Sequence, residues 1–198
     1  MTPSLDGAYA RVARAREHLA ALASAVASVS VPANTTGAFE DIGTATPVDP
    51  IHSILVGEIT YNLRSALDYL IYELALLDTA SIQEKTQFLI IDSPSDWKQE
   101  AKRRLPGLSP VHQDAIRMLQ PFSGCQWTRT LRDTSNSDKH RHLAIVQAPS
   151  AAVVELSSRQ AATIHLLAFD DGRPVVSTLE ELCGNVTDVL DSFRPEFP

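Results

Sequence analysis

The densest cluster of side chains that could do chemistry is the NSDKHRH sequence that begins at Asn136. Lys139 and Arg141 carry the positive charge that attracts a phosphate, and the imidazole of His140 suits proton transfer near neutral pH. Asn136 and Asp138 add hydrogen-bonding groups at the same place. The cluster therefore predicts anion binding or acid–base chemistry. The plainer alternative is a polar turn at the end of a helix.

A metal site is the weaker interpretation of the same cluster. Asp138, His140 and His142 alternate, as ligands on one side of a strand would, but two imidazoles and one carboxylate lack a further ligand at a known spacing. Cys125 and Cys183 form neither a CxxC pair nor a Cys/His pattern. We therefore predict no metal and no other cofactor.

A second polar group lies along one face of the helix-forming segment at residues 51–77. Arg64 and Asp68 are four residues apart, so they can pair on a helix surface. Tyr61 and Tyr72 flank them. One interpretation is a solvated face with an ion pair worth about 0.3–0.5 kcal/mol. The other is a half-buried surface that meets a helix, a second subunit or a ligand.

Composition limits the partners that these sites could serve. The chain has 198 residues, of which 44% are hydrophobic and 21% charged, as expected for one globular domain spanning residues 1–198. Its net charge of −7 argues against a protein that coats nucleic acid. Residues 97–141 nevertheless contain nine Lys or Arg and four Asp or Glu, a net charge of +5. An anionic ligand at this stretch is therefore compatible with the composition.

The amino terminus superficially imitates a signal peptide. Its larger apolar residues recur at helical spacing over residues 4–30, so we predict an amphipathic helix there instead. No apolar run reaches the roughly 18 residues that a membrane span needs, so no membrane partner is predicted. The two cysteines form no disulfide framework, which favours the reducing cytoplasm.

The elements that must position these sites predict an α+β fold with a mainly helical body. The predicted elements are an N-terminal helix at 4–30, a loop at 33–50, a long central helix at 51–77, a buried strand at Thr86–Ile91, shorter helices that open at Ser93-Pro94, at Ser109-Pro110 and near Trp127, and a C-terminal helix opened by a capping box of Ser177/Thr178 with Glu180/Glu181.

The C-terminal third is predicted to contain the sheet. Residues 142–177 include short runs rich in Val, Ile and Leu, with a hairpin turn at Asp170-Asp171-Gly172. We therefore predict a small antiparallel β-meander at 142–177, within the single domain.

Two motifs resemble those of an uncharacterised family of bacterial proteins. They are the YNLRSALDYL sequence that begins at Tyr61 and the DKHR sequence that begins at Asp138, with the LQPF sequence at Leu119 between them. The resemblance covers roughly residues 50–145. It brings no known reaction with it.

The helix of that family is distantly similar to the HEPN group of helical proteins, which act on nucleotides or RNA. In HEPN ribonucleases an Arg is followed a few residues later by a His, usually across a dimer interface. The resemblance implies that Arg64 holds phosphate. In the same hypothesis Asp68 orients the Arg64 side chain. Tyr69 stands at the expected His position, so His140 would supply the imidazole. Asn62 and Tyr69 would join the ligand-binding residues.

Three functional hypotheses follow. The first is an HEPN-like protein that binds RNA or a nucleotide phosphate, with metal-independent ribonuclease chemistry. The second is a non-catalytic homodimeric or oligomeric module, in which the same polar residues form a buried network at an interface. The third is a small-anion binding protein.

Overall fold

A computed structural model describes residues 2–27, 48–136, 144–147 and 165–198. At its centre is a 30-residue helix, α2 (Pro50–Thr79). The Asp49 side chain caps it by accepting the Ile51 N–H at 2.9 Å, and Pro50 lies in the first turn, where its missing N–H costs nothing. The helix ends at Ala80 in the left-handed conformation, with φ of 54°. The prediction of a long central helix is confirmed.

The other described elements are mostly helices. They are α1 (Asp6–Ala27), α3 (Trp97–Arg104), α4 (Pro110–Met118), α5 (Gln126–Ser135), β1 (Ala144–Gln147), β2 (His165–Ala168) and α6 (Val175–Phe193), with single 3-10 turns at Pro121–Ser123 and Arg194–Glu196. The predicted N-terminal and C-terminal helices are therefore confirmed. The predicted loop at 33–50 lies outside the described residues except for 48–50, and Pro50 already belongs to α2.

The core is formed where α1 and α6 pack on α2. Helix α1 runs antiparallel to α2, because the Ser4 N–H donates to Glu73 Oε2 at 3.0 Å while Arg11 further along donates to Asn62. The apolar stripe of α2 faces this core, as its spacing predicts. Its completely buried side chains include Ile59, Leu63, Leu67, Leu70, Ile71 and Leu74.

The predicted strand at Thr86–Ile91 is wrong. In the structure this stretch, the 86–91 segment, is extended but pairs with no other strand of the described residues. Phe88 is completely buried and Leu89 is nearly so. Side chains from α2 and from Gln120 form hydrogen bonds with its backbone instead, so the apolar pattern indicated burial correctly and pairing incorrectly.

The predicted α+β class with a β-meander at 142–177 is also wrong. The described residues form a predominantly helical fold with six α-helices. Within them the only sheet is one antiparallel pair of four-residue strands, β1 and β2, with Ala144 opposite Ala168. Residues of the predicted meander between and around these strands lie outside the described residues.

The end of the predicted meander shows the physical reason. The turn at Asp170-Asp171-Gly172 forms, with Gly172 at φ of 82°. After it the chain makes one isolated bridge, from Pro174 to Ala168, and enters α6 at Val175. Val175 is buried with the apolar stripe of α6, so tertiary packing outweighs the β propensity of the Val-Val pair.

Two predicted helix starts are displaced. Helix α3 begins at Trp97, after a turn over 94–96, rather than at Pro94. Helix α6 begins two residues before Ser177, so the predicted capping box lies inside the helix. Thr178 Oγ1 there donates to the Pro174 carbonyl at 2.7 Å. The Ser109-Pro110 start of α4 is confirmed, since Ser109 Oγ accepts the His112 N–H.

Candidate functional site

Arg64 and Asp68 meet on the backbone of Phe88. Asp68 Oδ1 accepts the Phe88 N–H at 2.8 Å, and Arg64 Nη2 donates to the Phe88 carbonyl at 3.2 Å. Because the two residues are one helical turn apart, together they bond both polar groups of one extended residue, as a neighbouring strand would. The direct ion pair expected from their spacing is replaced by this shared contact.

Gln120 holds the opposite edge of the 86–91 segment. Its Oε1 accepts the Ile91 N–H at 2.9 Å, and its Nε2 donates to the carbonyls of Leu89 and Ile116, both at 3.0 Å. Gln120 is completely buried, in the LQPF sequence just after α4. Side chains on both edges thus fix the segment next to Arg64.

A cavity of about 450 Å³ opens between this segment, α3 and α5. We call it the arginine cavity because three arginines, from α2, α3 and α5, line it. Its lining is Arg64, Gln87, Phe88, Leu89, Ile90, Ile91, Asp96, Gln99, Glu100, Arg104 and Arg132. Chemically, the described lining offers guanidinium groups, two carboxylates and amides, which suits recognition of an anion.

Arg64 is the most buried of the three cations. Burial lowers the pKa of Arg64; the Asp68 carboxylate opposes this shift, and the positive charge of Arg132 adds to it. Burial in turn raises the pKa of Asp68, against the Phe88 hydrogen bond and the charges of Arg64 and Arg104. Arg64 Nη1 is buried and has no hydrogen-bond partner among the described residues.

The other two arginines are held by neighbours. Arg132 Nη1 donates to Asp92 at 2.7 Å, and Asp92 also accepts from Arg129 Nε at 2.9 Å. Arg104 Nη1 donates to Gln87 Oε1 at 2.6 Å. These contacts orient Arg104 and Arg132, while Arg129 does not line the cavity.

Asn62 and Tyr69, predicted as ligand-binding residues, lie on the α1 side of α2 instead. Asn62 is buried, with Oδ1 accepting from Arg11 at 3.3 Å and Nδ2 donating to the Glu58 carbonyl at 2.8 Å. The Arg11 guanidinium lies 5.7 Å from the centre of the Tyr69 ring. Neither residue lines the arginine cavity.

A second opening of about 470 Å³ lies on this side, between α1 and α2. We call it the tyrosine groove after Tyr61, its most exposed large side chain. Its lining is Arg11, Arg14, His18, Ile54, Gly57, Glu58, Tyr61 and Asn62. His18 Nδ1 and Glu58 Oε2 are 3.2 Å apart across it.

The second predicted motif is only partly described. Asn136 is the exposed residue that ends α5. Asp138, Lys139, His140 and Arg141 lie outside the described residues. The structure therefore brings together Arg64 and Asp68 and places Asn136 at the end of the helix that carries Arg132.

Sequence reasoning missed Gln120, Arg104 and Arg132. For Gln120 the signal was its place in the LQPF sequence between the two motifs. For the two arginines it was the basic stretch at 97–141, which contains both. What the sequence lacks is any sign that α3 and α5 face Arg64 across one cavity.

No group of three His, Cys, Asp or Glu among the described residues is placed to hold a metal ion. No helix in the described part of the chain is long and apolar enough to cross a membrane. No family model, curated protein or solved structure matches the chain.

Proposed function

We propose that this protein binds a phosphate group, of RNA or of a nucleotide, in the arginine cavity. The observation that carries the proposal is the buried Arg64 Nη1, which has no partner among the described residues. A buried donor without an acceptor costs about 1–3 kcal/mol, and more when it is charged. A phosphate oxygen at this position would recover that energy and offset the repulsion between Arg64 and Arg132.

The neighbouring groups suit this ligand. Guanidinium groups match the geometry of phosphate oxygens better than ammonium groups do. The carboxylates in the cavity are already engaged, since Glu100 accepts from Arg103 at 3.2 Å and Asp96 accepts from Ser95 at 3.0 Å. Of the cavity cations, Arg104 and Arg132 already have neighbours, so the buried Arg64 Nη1 is the donor left for a ligand among the described residues.

The catalytic part of the proposal is metal-independent, HEPN-like RNA cleavage with His140 as acid or base. Asp138, Lys139 and Arg141 would assist it. Their motif follows directly after α5, whose Arg132 lines the arginine cavity, and this adjacency supports the assignment. We propose a cytoplasmic setting for this activity because of the cysteine usage.

The phosphate site is tested with two arginines of α5 that share one partner. Arg132→Ala removes a cavity cation, so we expect it to weaken binding of ribose 5-phosphate about 10- to 100-fold, the effect of one charge-assisted hydrogen bond. Isothermal titration calorimetry at low salt measures the dissociation constant.

Arg129→Ala is the matched control. It breaks an ion pair with the same Asp92 but removes nothing from the cavity lining. We expect unchanged affinity in this variant. Equal losses in both variants, or none in either, would overturn the phosphate site.

A homodimeric module is the second candidate function. It is favoured by exposed apolar residues on the outer face of α2, where Ile51, Ile54 and Tyr61 are 44%, 54% and 63% exposed. In this alternative Arg64 and Asp68 serve the interior of one chain, and the exposed face meets a second copy.

A further inference from the structure

The tyrosine groove has the chemistry of a site for an aromatic ring. Tyr61 presents its ring to solvent, 63% exposed, and Ile54 adds an exposed apolar side chain about two helical turns earlier. Gly57 lies between them, and a side chain at its position would meet nothing within 4 Å. The floor beside the Tyr61 ring is therefore open.

Cations line the other side of this groove. The Arg14 side chain is 59% exposed and is held by Glu17 at 2.8 Å, while Arg11 is fixed between Asn62 and the Tyr69 ring. Planar guanidinium groups stack on aromatic faces as well as pairing with anions. A flat, electron-rich ring between Tyr61 and Arg14 would be contacted on both faces.

The tyrosine groove and the arginine cavity flank neighbouring residues of α2, since Tyr61 lines the groove and Arg64 lines the cavity. Gly57, Tyr61 and Arg64 are related by steps of four and three residues, the spacing of neighbours on one helical face. Tyr61 therefore lies about 5–6 Å from Arg64, measured between Cβ atoms. A ligand held at Arg64 by its phosphate can reach the Tyr61 ring with an aromatic group.

We propose that Tyr61 is a stacking platform for the base of a nucleotide whose phosphate occupies the arginine cavity. This inference rests on the proposed phosphate site and adds the residue that would hold the base of the nucleotide or single-stranded RNA. Stacking on tyrosine tolerates every base, because each base has a π face. Binding is therefore expected without strong base preference.

Charge favours a nucleotide over a second copy of the chain as the occupant. In a two-fold contact the same patch lies on both partners, so the interface would contain Arg11 and Arg14 of both copies. An anionic aromatic ligand can contact both the exposed Tyr61 ring and Arg14, while Glu58, the carboxylate of the groove lining, lies 3.2 Å from His18.

The experiment compares two ligands that differ only in the base. Calorimetry gives the affinities of AMP and ribose 5-phosphate for the full chain and for Tyr61→Ala, Tyr61→Phe and Tyr72→Ala. In the wild type we expect AMP to bind about 5- to 100-fold more tightly, the range measured for one stacked base. Tyr61→Ala should abolish this ratio and leave ribose 5-phosphate affinity unchanged, while Tyr61→Phe should keep the ratio.

Tyr72→Ala is the matched control, since Tyr72 is another tyrosine of α2 that lines neither opening. A ratio near one in the wild type, with ribose 5-phosphate still bound through Arg132, would overturn the stacking platform and leave the phosphate site standing. Loss of ribose 5-phosphate binding itself would count against the phosphate site. A concentration-dependent dimer that Tyr61→Ala dissociates, in light-scattering measurements, would assign the groove to a second copy instead.

Discussion

Gln120 replaces a strand neighbour for two residues of the 86–91 segment. Its amide carries an acceptor oxygen and a donor nitrogen on the same planar group, as a backbone peptide does. That equivalence explains why a single buried glutamine can bond the Leu89 carbonyl and the Ile91 N–H at once. The position therefore needs a side chain with both a donor and an acceptor, and neither a hydrophobic nor a charged side chain can replace the glutamine.

We expect Gln120→Ala to lower the free energy of unfolding by about 2–4 kcal/mol, because the Leu89 and Ile116 carbonyls and the Ile91 N–H lose this partner and a cavity is left. Urea denaturation measures the change. Gln113→Ala is the control: Gln113 also donates to one carbonyl, that of Leu108, but it is only partly buried. Its loss should be about 1 kcal/mol. If the two variants were equally stable, Gln120 would not have the role assigned to it.

At the scale of elements, a buried histidine joins α4 to the end of α2 and to the C-terminal turn. His112 Nδ1 lies 2.7 Å from Asp78 Oδ2, and its Nε2 lies 2.6 Å from Glu196 Oε2, with the Phe193 ring edge-on to the imidazole. Burial alone would lower the pKa of His112, but the two carboxylates outweigh it and raise the pKa above its ordinary value. Only the charged ring can donate to both carboxylates.

This geometry predicts that the contacts of His112 with Asp78 and Glu196 weaken as the pH rises. Because the folded-state pKa is raised, the stabilisation is fully present below the unfolded value of about 6.5 and is lost as pH rises through the folded value. Melting temperatures from pH 5.5 to 9 should fall in the wild type relative to His112→Gln. If the melting temperature of His112→Gln depended on pH as steeply as that of the wild type, the two carboxylate contacts of His112 would not be the cause of this dependence.

A comparison of the predicted and observed elements shows how much of this fold the sequence predicts. Helical periodicity identified α1, α2 and α6, because each buries a continuous apolar stripe that includes residues such as Leu22, Leu63 and Val186. The segment Thr86–Ile91 has the composition of a strand, but most of its backbone hydrogen bonds are to side chains, with the Gln87 N–H donating to the Arg104 carbonyl at 2.9 Å. No local sequence pattern encodes these contacts. For the site, Arg64 and Asp68 were identifiable from their spacing, whereas their common target, Phe88, is a tertiary contact.

At the scale of the molecule, the charge distribution agrees with the position of the arginine cavity. Two of its three arginines, Arg104 and Arg132, come from the basic stretch at 97–141 in a chain of net charge −7. Folding brings that stretch against Arg64 of α2. Two of the nine basic residues of that stretch thus line the arginine cavity together with Arg64, which favours anion binding there.

The α1–α2–α6 core is also the basis of a prediction about thiol chemistry. Cys183 on α6 is buried, and burial raises its pKa to about 11, against the nearby charge of Arg16. Little of the reactive Cys183 thiolate is therefore present, and an alkylating reagent can reach this side chain only when the core opens. In a Cys125→Ser variant, iodoacetamide should label Cys183 only through global unfolding, with a rate that rises with urea as the unfolding equilibrium does. Fast labelling independent of urea would show that α6 opens by itself.

The side-chain contacts of the 86–91 segment have a consequence for aggregation. Its sequence TQFLII is uncharged, rich in β-forming residues and free of proline, which is the composition of segments that build cross-β fibrils. Arg64 and Asp68 occupy backbone groups on one edge, and Gln120 occupies groups on the other. Since a strand of another molecule must bond to those same groups, the residues that shape the arginine cavity also keep this segment from joining a fibril.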